Sequence, residues 1–267
     1  MKQDLIFDIG MHDGTDADFY LRKGFSVVAV EANKELCMRA RNRFAQHVST
    51  GRLVIINAIV GRDSGEMRFF RNLVNSQWST TSMEWRRRND ILGTSSVEER
   101  VQSITLPELI GTYGCPYYLK IDIEGGDYEA IGTLKNVEDR PKFVSIEVSK
   151  FSILETFREF CLLERLGYTR FNIVAQHRVH QQRPPDPPLE GKYAHPNFEW
   201  ASSGLFGCEL PGSWRGKNLA FIGYLPVIAR HRFVGDYAKA RWRRTSTLLR
   251  RLLGEPGWHD VHAKRSS

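Results

Sequence analysis

Short apolar runs that end at an acidic residue recur in the first part of the chain, and they constrain the fold more than any other feature. The runs at residues 5–7 and 26–30 end at Asp8 and Glu31, and a stretch of helical periodicity follows each of them. Strands that read as continuous apolar runs and alternate with helices are typical of a parallel sheet covered on both faces. The pattern therefore predicts an α/β fold.

The same alternation extends over most of the chain and predicts its domain organisation. Further strand patterns occur at residues 53–56, 66–70, 117–121, 143–148, 169–174 and 219–224. We expect one catalytic domain over residues 1–225, with an insertion near the ligand at residues 72–98 and a long loop at residues 176–217. The prolines at 184–185 and 187–188 exclude a helix or a central strand from part of that loop.

The C-terminal residues differ in character from the rest of the chain. Eight arginine and lysine side chains and a single acid lie between residues 230 and 251, among apolar residues at helical spacing. We expect residues 226–267 to form a basic amphipathic helix and tail. Such a helix can contact an anionic membrane surface or nucleic acid, or can pack on the domain with its charges in solvent.

Length and composition limit the class of protein. The chain has 267 residues, of which 41% are hydrophobic and 26% charged, as in globular proteins with a substantial core. No apolar run approaches the roughly 20 residues that cross a bilayer, and the N-terminus enters a strand pattern at once, so we expect a cytoplasmic protein without a signal peptide. Neither the four scattered cysteines nor the histidines at 177, 180 and 195 have metal-ligand spacing, so no metal is predicted.

The loop after the first strand combines an acid with two glycines. Asp8-x-Gly10-x-x-x-Gly14 allows the backbone to approach a ligand closely, and a helix N-terminus follows it. A glycine turn of this kind by itself occurs in many α/β proteins. Glu31 adds a second signal, because an acid at the end of the second strand can accept hydrogen bonds from both hydroxyls of a ribose. Together these features indicate a nucleoside ligand.

Two nucleoside cofactors compete for this site. A dinucleotide needs glycines in the spacing G-x-G-x-x-G for its pyrophosphate, whereas Met11, His12 and Asp13 separate the glycines here. The short-chain variant of that loop needs a glycine at the position of Asp16, together with a Tyr-x-x-x-Lys pair that we do not find. The sequence therefore favours S-adenosylmethionine, and an NAD-dependent oxidoreductase is the alternative.

Four segments resemble the FkbM-type methyltransferases, which are class I enzymes usually assigned to O-methylation. These segments are Asp8-Ile9-Gly10-x-x-x-Gly14, Val28-Ala29-Val30-Glu31, Asn57-Ala58-Ile59-Val60-Gly61 and Leu119-Lys120-Ile121-Asp122-Ile123-Glu124-Gly125. The resemblance covers residues 4–175, and its most specific part is Lys-Ile-Asp-Ile-Glu-Gly. It implies a Rossmann-like, seven-stranded, mostly parallel sheet with helices on both faces and the last strand antiparallel.

The resemblance also implies where the cofactor and the acceptor bind. It places S-adenosylmethionine at Asp8, Gly10 and Glu31, the adenine near residues 57–59, and the acceptor near Asp122. The complete set of predicted cofactor contacts is Asp8, Gly10, His12, Gly14, Glu31, Ala32, Asn57, Ala58, Ile59 and Asp122. Many relatives have Ala-Asn in place of Met11-His12, and His12 either contacts the methionine end of the cofactor or is solvated.

Methyl transfer makes few chemical demands on the protein. The sulfonium is already a strong electrophile, so the protein must mainly hold the acceptor oxygen about 3 Å from the methyl carbon and receive the hydroxyl proton. We predict that Asp122 positions the acceptor, that Asp122 or Glu124 takes the proton, and that Glu147 is a further candidate. Two alternatives remain open: Glu124 can simply complement the charge of a helix start, and Glu147 can be an ordinary acid at a strand end.

The predicted function is an S-adenosylmethionine-dependent O-methyltransferase that acts on a hydroxyl of a small metabolite or of a sugar or glycan. The formal charge of +7 also suits nucleic acid, so an RNA methyltransferase that uses the basic C-terminal region is an alternative. Nucleic acid is the less favoured partner, because no RNA-binding module is recognisable. The sequence makes no prediction of the oligomeric state.

Overall fold

A computed structural model describes residues 1–199, 202–235 and 257–266. The strands in these ranges are β1 (Lys2–Ile9), β2 (Ser26–Glu31), β3 (Leu53–Asn57), β4 (Ile59–Val60), β5 (Gly65–Asn72), β6 (Ser96–Ile104), β7 (Pro116–Ile121), β8 (Phe143–Ile146), β9 (Tyr168–Ala175) and β10 (His259–Arg265). The helices are α1 (Thr15–Arg22), α2 (Lys34–Arg43), α3 (Ala45–Ser49), α4 (Met83–Ile91), α5 (Leu106–Tyr113), α6 (Asp127–Gly132), α7 (Ile153–Arg165) and α8 (Lys217–Val234).

Seven of the strands form one sheet in the order β3-β2-β1-β7-β8-β10-β9. The pairs β2–β3, β1–β2, β1–β7 and β7–β8 are parallel, whereas β10 is antiparallel to both of its neighbours. This arrangement confirms the predicted Rossmann-like sheet with an antiparallel last strand. Strands β2 and β3 lie on one side of β1, and β7 and the strands that follow it lie on the other. Where the strand order reverses in this way, a crevice opens at the carboxyl ends of the strands.

The core lies on both faces of the sheet, as continuous apolar strands require. Phe7 and Leu119 belong to a cluster with residues of α5, α6, α7 and α8, whereas Ile6 and Tyr118 belong to a second cluster with residues of α1 and α2. Adjacent residues of a strand point to opposite faces, and β1, β2, β7 and β8 each contribute to both clusters. Both layers of helices therefore hold the strand ends in place.

Local sequence signals set the starts of several helices. The Asn33 side chain accepts hydrogen bonds from the backbone amides of Glu35 and Leu36 at the start of α2. Thr105 and Glu108 form a capping box at the start of α5, in which each side chain bonds the backbone of the other. Such caps satisfy amides that have no partner inside the helix.

The prediction of a strand at residues 219–224 is wrong. These residues lie inside α8, which buries Ala220, Tyr224, Val227, Ile228 and His231. That spacing of three to four residues is helical, and the apolar run resembles a strand only when its first six residues are considered alone. Helix α8 also runs across the domain boundary that we expected at residue 225.

The last strand of the sheet comes instead from the C-terminal residues. Strand β10 lies between β8 and β9, with His259 through Ala263 buried. The expectation of a helix and tail over residues 226–267 is therefore wrong for residues 259–265, and it failed because this strand carries two histidines, an aspartate and two basic residues. Residues 236–256, which hold most of the predicted basic helix, lie outside the described residues.

The predicted insertion belongs to a small separate sheet. Strands β4, β6 and β5 form it in that order, and α4 lies between β5 and β6. Residues 72–98 comprise the end of β5, α4 and the start of β6. The second long excursion, residues 176–217, has no strand or α-helix before Lys217 in its described part. It is nevertheless packed, because Phe206 is fully buried and stacks on Tyr118 with 4.9 Å between ring centroids.

A buried ion pair connects this second excursion to Lys23, the residue that follows α1. Lys23 Nζ lies 2.9 Å from Glu209 Oε2, and both side chains are 0% exposed. Glu209 Oε1 also accepts hydrogen bonds from the backbone amides of Leu189 and Glu190.

We expect Lys23→Met to lower the free energy of unfolding by about 3–5 kcal/mol, because it leaves the Glu209 carboxylate buried without a cation. Urea denaturation measures this change. The double variant Lys23→Met/Glu209→Gln is the matched control, since its neutral amide still accepts the two backbone bonds, and it should lose less stability than Lys23→Met alone. Equal losses in the two variants would contradict the electrostatic explanation.

Candidate active site

A cavity of about 260 Å³ opens at the carboxyl ends of β1, β2, β7 and β8. Eight of the twelve predicted site residues line it: Gly10, His12, Glu31, Ala58, Ile59, Asp122, Glu124 and Glu147. The other four, Asp8, Gly14, Ala32 and Asn57, do not line the cavity. The structure thus brings together, at one edge of the sheet, acids from the ends of three strands.

The glycine loop is pressed against the end of β7. Gly10 has a φ of +82°, and a Cβ at this position would overlap the carbonyl oxygen of Asp122. Gly14 also has a φ of +82°, and a Cβ there would lie 2.7 Å from the ring of Phe44. Only glycine combines this backbone conformation with so little space. The glycines therefore allow the first loop to approach the acids beyond β7.

The Glu31 carboxylate is oriented by the backbone. It accepts a hydrogen bond from the amide of His12 at 2.9 Å on Oε2 and from the amide of Asn33 at 2.7 Å on Oε1. Burial raises the pKa of Glu31, and these two bonds oppose that shift. Each carboxylate oxygen has two acceptor sites, so each can still accept a bond from a ribose hydroxyl. The carboxylate thus keeps acceptor sites for two neighbouring hydroxyl groups, which is what the predicted ribose contact requires.

The four predicted residues that do not line the cavity lie behind or beside the loops that do. Asn57 Nδ2 donates to the carbonyl oxygens of Glu31 and Ala32 at 3.0 Å and 2.9 Å, so this amide shapes the turn after β2. Gly14 packs on Phe44, as described above. Asp8 is fully buried under the glycine loop.

Lys120 lies beneath the glycine loop and connects several parts of the chain. Its Nζ is 3.2 Å from Asp8 Oδ1 and 3.2 Å from Asp16 Oδ2, and all three side chains are buried. The Asp16 carboxylate also accepts the backbone amide of Ser203 at 2.9 Å and 3.1 Å. Burial raises the pKa of Asp8 to about 6 although the Lys120 charge opposes the shift.

Three carboxyl groups converge on the wall beyond β7 and β8. Asp122, Glu124 and Glu147, here called the acidic trio, each offer an oxygen within 4.8 Å of the other two. Burial raises the pKa of Asp122 and, more strongly, that of Glu124, and the charge of Glu147 adds to both shifts. Lys150 Nζ forms a close ion pair with Glu147 Oε1. The trio is thus a partly buried acidic surface that lines the cavity, with one member paired to a lysine.

The insertion holds the turn that carries Glu124. Thr80 Oγ1 donates to the Glu124 carbonyl at 2.6 Å, and Glu124 has an unusual φ of +52° for a residue with a side chain. Gly125 is packed so closely that a Cβ would lie 2.8 Å from the ring of Trp85. The same insertion lines the cavity with residues 75–79, and Ser76 Oγ lies 2.8 Å from His12 Nε2. Burial lowers the pKa of His12 and so favours its neutral form.

Sequence reasoning missed four residues at or beneath the site. Lys120 was quoted in a motif but not assigned a role, although a charge inside an apolar strand requires a buried partner and could have indicated Asp8. Asp16 is the second partner. Trp258 and Asp260 line the cavity from β10 and its approach, and no local signal marks them because their strand was not recognised. Asp260 is 7% exposed and accepts a close hydrogen bond from Gln176.

The strand order, the glycine loop and the acids at the strand ends together define a class I S-adenosylmethionine-dependent methyltransferase. The sequence profile of the methyltransferase FkbM domain matches residues 8–169, which is more than half of the chain. The chain therefore belongs to the FkbM methyltransferase family, and its cofactor is S-adenosylmethionine.

Solved methyltransferase structures are similar to this chain at low sequence identity. A methyltransferase from Geobacter sulfurreducens in complex with S-adenosyl-L-homocysteine is 9% identical, with 98% of this chain and 84% of that chain covered and a TM-score of 0.38. One from Thiobacillus denitrificans with the same ligand is also 9% identical, with coverages of 98% and 85% and a TM-score of 0.36. Precorrin-6y C5,15-methyltransferase from Geobacter metallireducens is 13% identical, with coverages of 65% and 68% and a TM-score of 0.35. The comparison with curated proteins gave no significant match.

We expect Glu31→Ala to weaken binding of S-adenosylhomocysteine by about ten- to hundredfold, because the ribose hydroxyls lose a charged acceptor. Asp122→Asn keeps the size of its side chain and should weaken this binding less. Titration calorimetry on both variants measures the difference. A wild-type affinity in Glu31→Ala would show that the ribose binds elsewhere.

Removal of the cation beneath the loop should destabilise the fold. We expect Lys120→Met to lower the free energy of unfolding by about 3–5 kcal/mol, because two buried carboxylates lose their counter-charge. Urea denaturation at pH 5 and pH 8 measures the effect. The pKa of Asp8 is raised to about 6 in the folded state, so this group is mostly protonated at pH 5 and ionised at pH 8, and the loss should be larger at pH 8.

The exposed Lys135 provides a matched control for this substitution, since Lys135→Met changes the same functional group on the surface. Its effect should stay within about 0.5 kcal/mol. A Lys120→Met protein as stable as the control at pH 8 would show that the buried acids do not need this cation.

Proposed function

We propose that this methyltransferase transfers its methyl group to a hydroxyl oxygen of a small, polyhydroxylated acceptor such as a sugar. One observation carries the proposal: the acidic trio lies in the same cavity as Glu31 and the glycine loop. A hydroxyl group held beside the trio is close both to proton acceptors and to the site that fits the cofactor.

The bound cofactor supplies an electrophilic methyl group, whose carbon–sulfur bond breaks as the new carbon–oxygen bond forms. The residues of this chain must bind the acceptor, orient its hydroxyl and remove the proton. Asp122 or Glu124 fits the last role, because burial raises the pKa of both and a base works best when its pKa lies near the working pH. Glu147 is the weaker candidate, since one of its oxygens is already paired with Lys150.

The lining of the cavity supports an acceptor with several hydroxyl groups. Outside the predicted cofactor residues it presents hydroxyl and amide groups together with two indole rings: Asn75, Ser76, Gln77, Trp78, Ser79, Thr81, Gln176, Ser202, Ser203 and Trp258. Groups that both donate and accept hydrogen bonds suit hydroxyls, and aromatic rings offer an apolar surface beside them.

Two alternative functions have less support. The acidic trio disfavours the phosphate backbone of RNA, because like charges repel most strongly in a buried site. The basic residues at 236–256 lie outside the described residues, so contact of this segment with nucleic acid or a membrane remains a prediction. Among the helices that the structure describes, none is long and apolar enough to cross a membrane. The NAD alternative is superseded by the family assignment.

A labelled-methyl transfer assay on cell extract, followed by identification of the labelled product, tests the proposal. We expect the label on an oxygen of a hydroxylated small molecule or saccharide. A label on nitrogen would leave the protein a methyltransferase but would contradict the proposed acceptor class.

With an acceptor in hand, Asp122→Asn and Glu124→Gln separate the roles of the acids. We expect the variant that removes the base to lower kcat by about 10²–10⁴-fold while binding of S-adenosylhomocysteine is largely retained. The wild-type kcat should increase as pH rises through the raised pKa of the base, since only the ionised form accepts the proton. A pH-independent kcat in the wild type, with neither substitution lowering it, would contradict general-base catalysis by these residues.

A further inference from the structure

The geometry of the acidic trio suits a metal ion. Asp122, Glu124 and Glu147 offer oxygens that all lie within 4.8 Å of one another. Oxygen ligands on opposite sides of a bound ion are about 4.0–4.2 Å apart for Mg²⁺ and about 4.6–5.2 Å apart for Ca²⁺, so separations of this order allow the three oxygens to share one ion. Glu147 has a second carboxylate oxygen beside the one that pairs with Lys150, and its ion pair therefore does not prevent ligation.

Unpartnered carboxylate oxygens give a second observation, which does not depend on the distances within the trio. Asp127, at the start of α6, is only 4% exposed, and its Oδ1 has no hydrogen-bond partner. Glu124 Oε2 is likewise enclosed and unpartnered. Burial raises the pKa of Asp127 well above its usual value, and the negative charges of Asp122, Glu147 and Glu124 raise it further. Among the described residues, neither Asp127 Oδ1 nor Glu124 Oε2 therefore has a hydrogen-bonded partner that offsets its burial.

The charges around the cavity do not balance. Five buried or partly buried carboxyl groups act on one another here: Asp122, Glu124, Asp127, Glu147 and Asp260. Lys150 and Arg88 are basic groups that oppose them, and Lys120 is shared with the acids beneath the glycine loop. When all five acids are ionised, the positive charges of Lys150 and Arg88 offset only two of their negative charges, and the group keeps a net negative charge. Such a group either keeps protons or binds a further cation.

We propose that the acidic trio binds one divalent cation of the class that prefers oxygen ligands, namely Mg²⁺, Mn²⁺ or Ca²⁺. The inference goes beyond the proposed methyl acceptor and does not depend on it. An oxygen that ligates the ion cannot accept a proton at the same moment. With the ion bound, the ion would lower the pKa of an acceptor hydroxyl that touches it, and a carboxylate oxygen of the trio that does not ligate the ion would take the proton.

Titration of the complete protein with Mn²⁺ tests this site. Bound Mn²⁺ is measured as the decrease in the electron paramagnetic resonance signal of the free ion. We expect one saturable site per chain whose affinity increases with pH, because carboxyl ligands must lose their protons to bind. Glu124→Gln and Glu147→Gln should each weaken binding by more than about tenfold. Glu129→Gln, which neutralises an exposed acid on α6, is the matched control and should bind as the wild type does.

Absence of a saturable site would overturn the proposal, as would equal affinities in Glu124→Gln and Glu129→Gln. Binding of S-adenosylhomocysteine to the same samples shows whether each variant is folded. It also separates the two proposals, since cofactor binding and methyl transfer can persist when Mn²⁺ does not bind.

Luminescence of Tb³⁺ locates the ion without altering a ligand. The Trp85 ring packs against Gly125, beside the trio, so excitation of this indole should sensitise a bound Tb³⁺. We expect Trp85→Phe to lower the sensitised emission at least twofold while Mn²⁺ affinity stays the same. Because Trp78 and Trp258 also line the cavity, emission that stays unchanged in Trp85→Phe, Trp78→Phe and Trp258→Phe alike would place the ion away from the trio and would count against the proposal.

Discussion

Lys120 carries a positive charge into the middle of the sheet, where its ammonium lies 3.2 Å from carboxylate oxygens of both Asp8 and Asp16. These residues belong to β7, β1 and α1, and Asp16 also holds the amide of Ser203 in the second excursion. One cation thus fixes four parts of the chain beneath the cofactor loop. Without the Lys120 ammonium, ionised Asp8 and Asp16 would strongly destabilise the fold, because an unpaired buried charge is costly.

Above this bridge the cavity is acidic, although the whole chain has a formal charge of +7. Glu31 stays oriented because two backbone amides bind it, whereas Lys150 is the one cation in the described part of the chain that forms an ion pair with the trio. The site therefore combines a well-satisfied acid that fits a ribose with acids that are short of positive partners. This difference separates the end of the cavity that we assign to the cofactor from the end that we assign to the acceptor and to a cation.

The central elements and most of the cavity wall were predictable because their signals are local. Each parallel strand reads as an apolar run, and Glu31, Asp122 and Glu147 stand at strand ends, which meet at one edge of the sheet. Helix α8 and strand β10 were not predictable in the same way. An apolar run of six residues fits a helix as well as a strand, and β10 is polar in sequence yet buried between two neighbours. Because β10 was not predicted, the contribution of Trp258 and Asp260 to the cavity wall was missed as well.

The sequence by itself determined the α/β class, the methyltransferase family and the strand-end acids, since apolar periodicity and glycine spacing are properties of neighbouring residues. Only the tertiary structure decided which residues face the cavity. It placed Asn57 in a turn, moved Asp8 behind the loop with Lys120, and brought Asp122, Glu124 and Glu147 within 4.8 Å of one another. The physical reason is that distances between strand ends depend on the order and twist of the sheet, which the contacts of the whole chain establish.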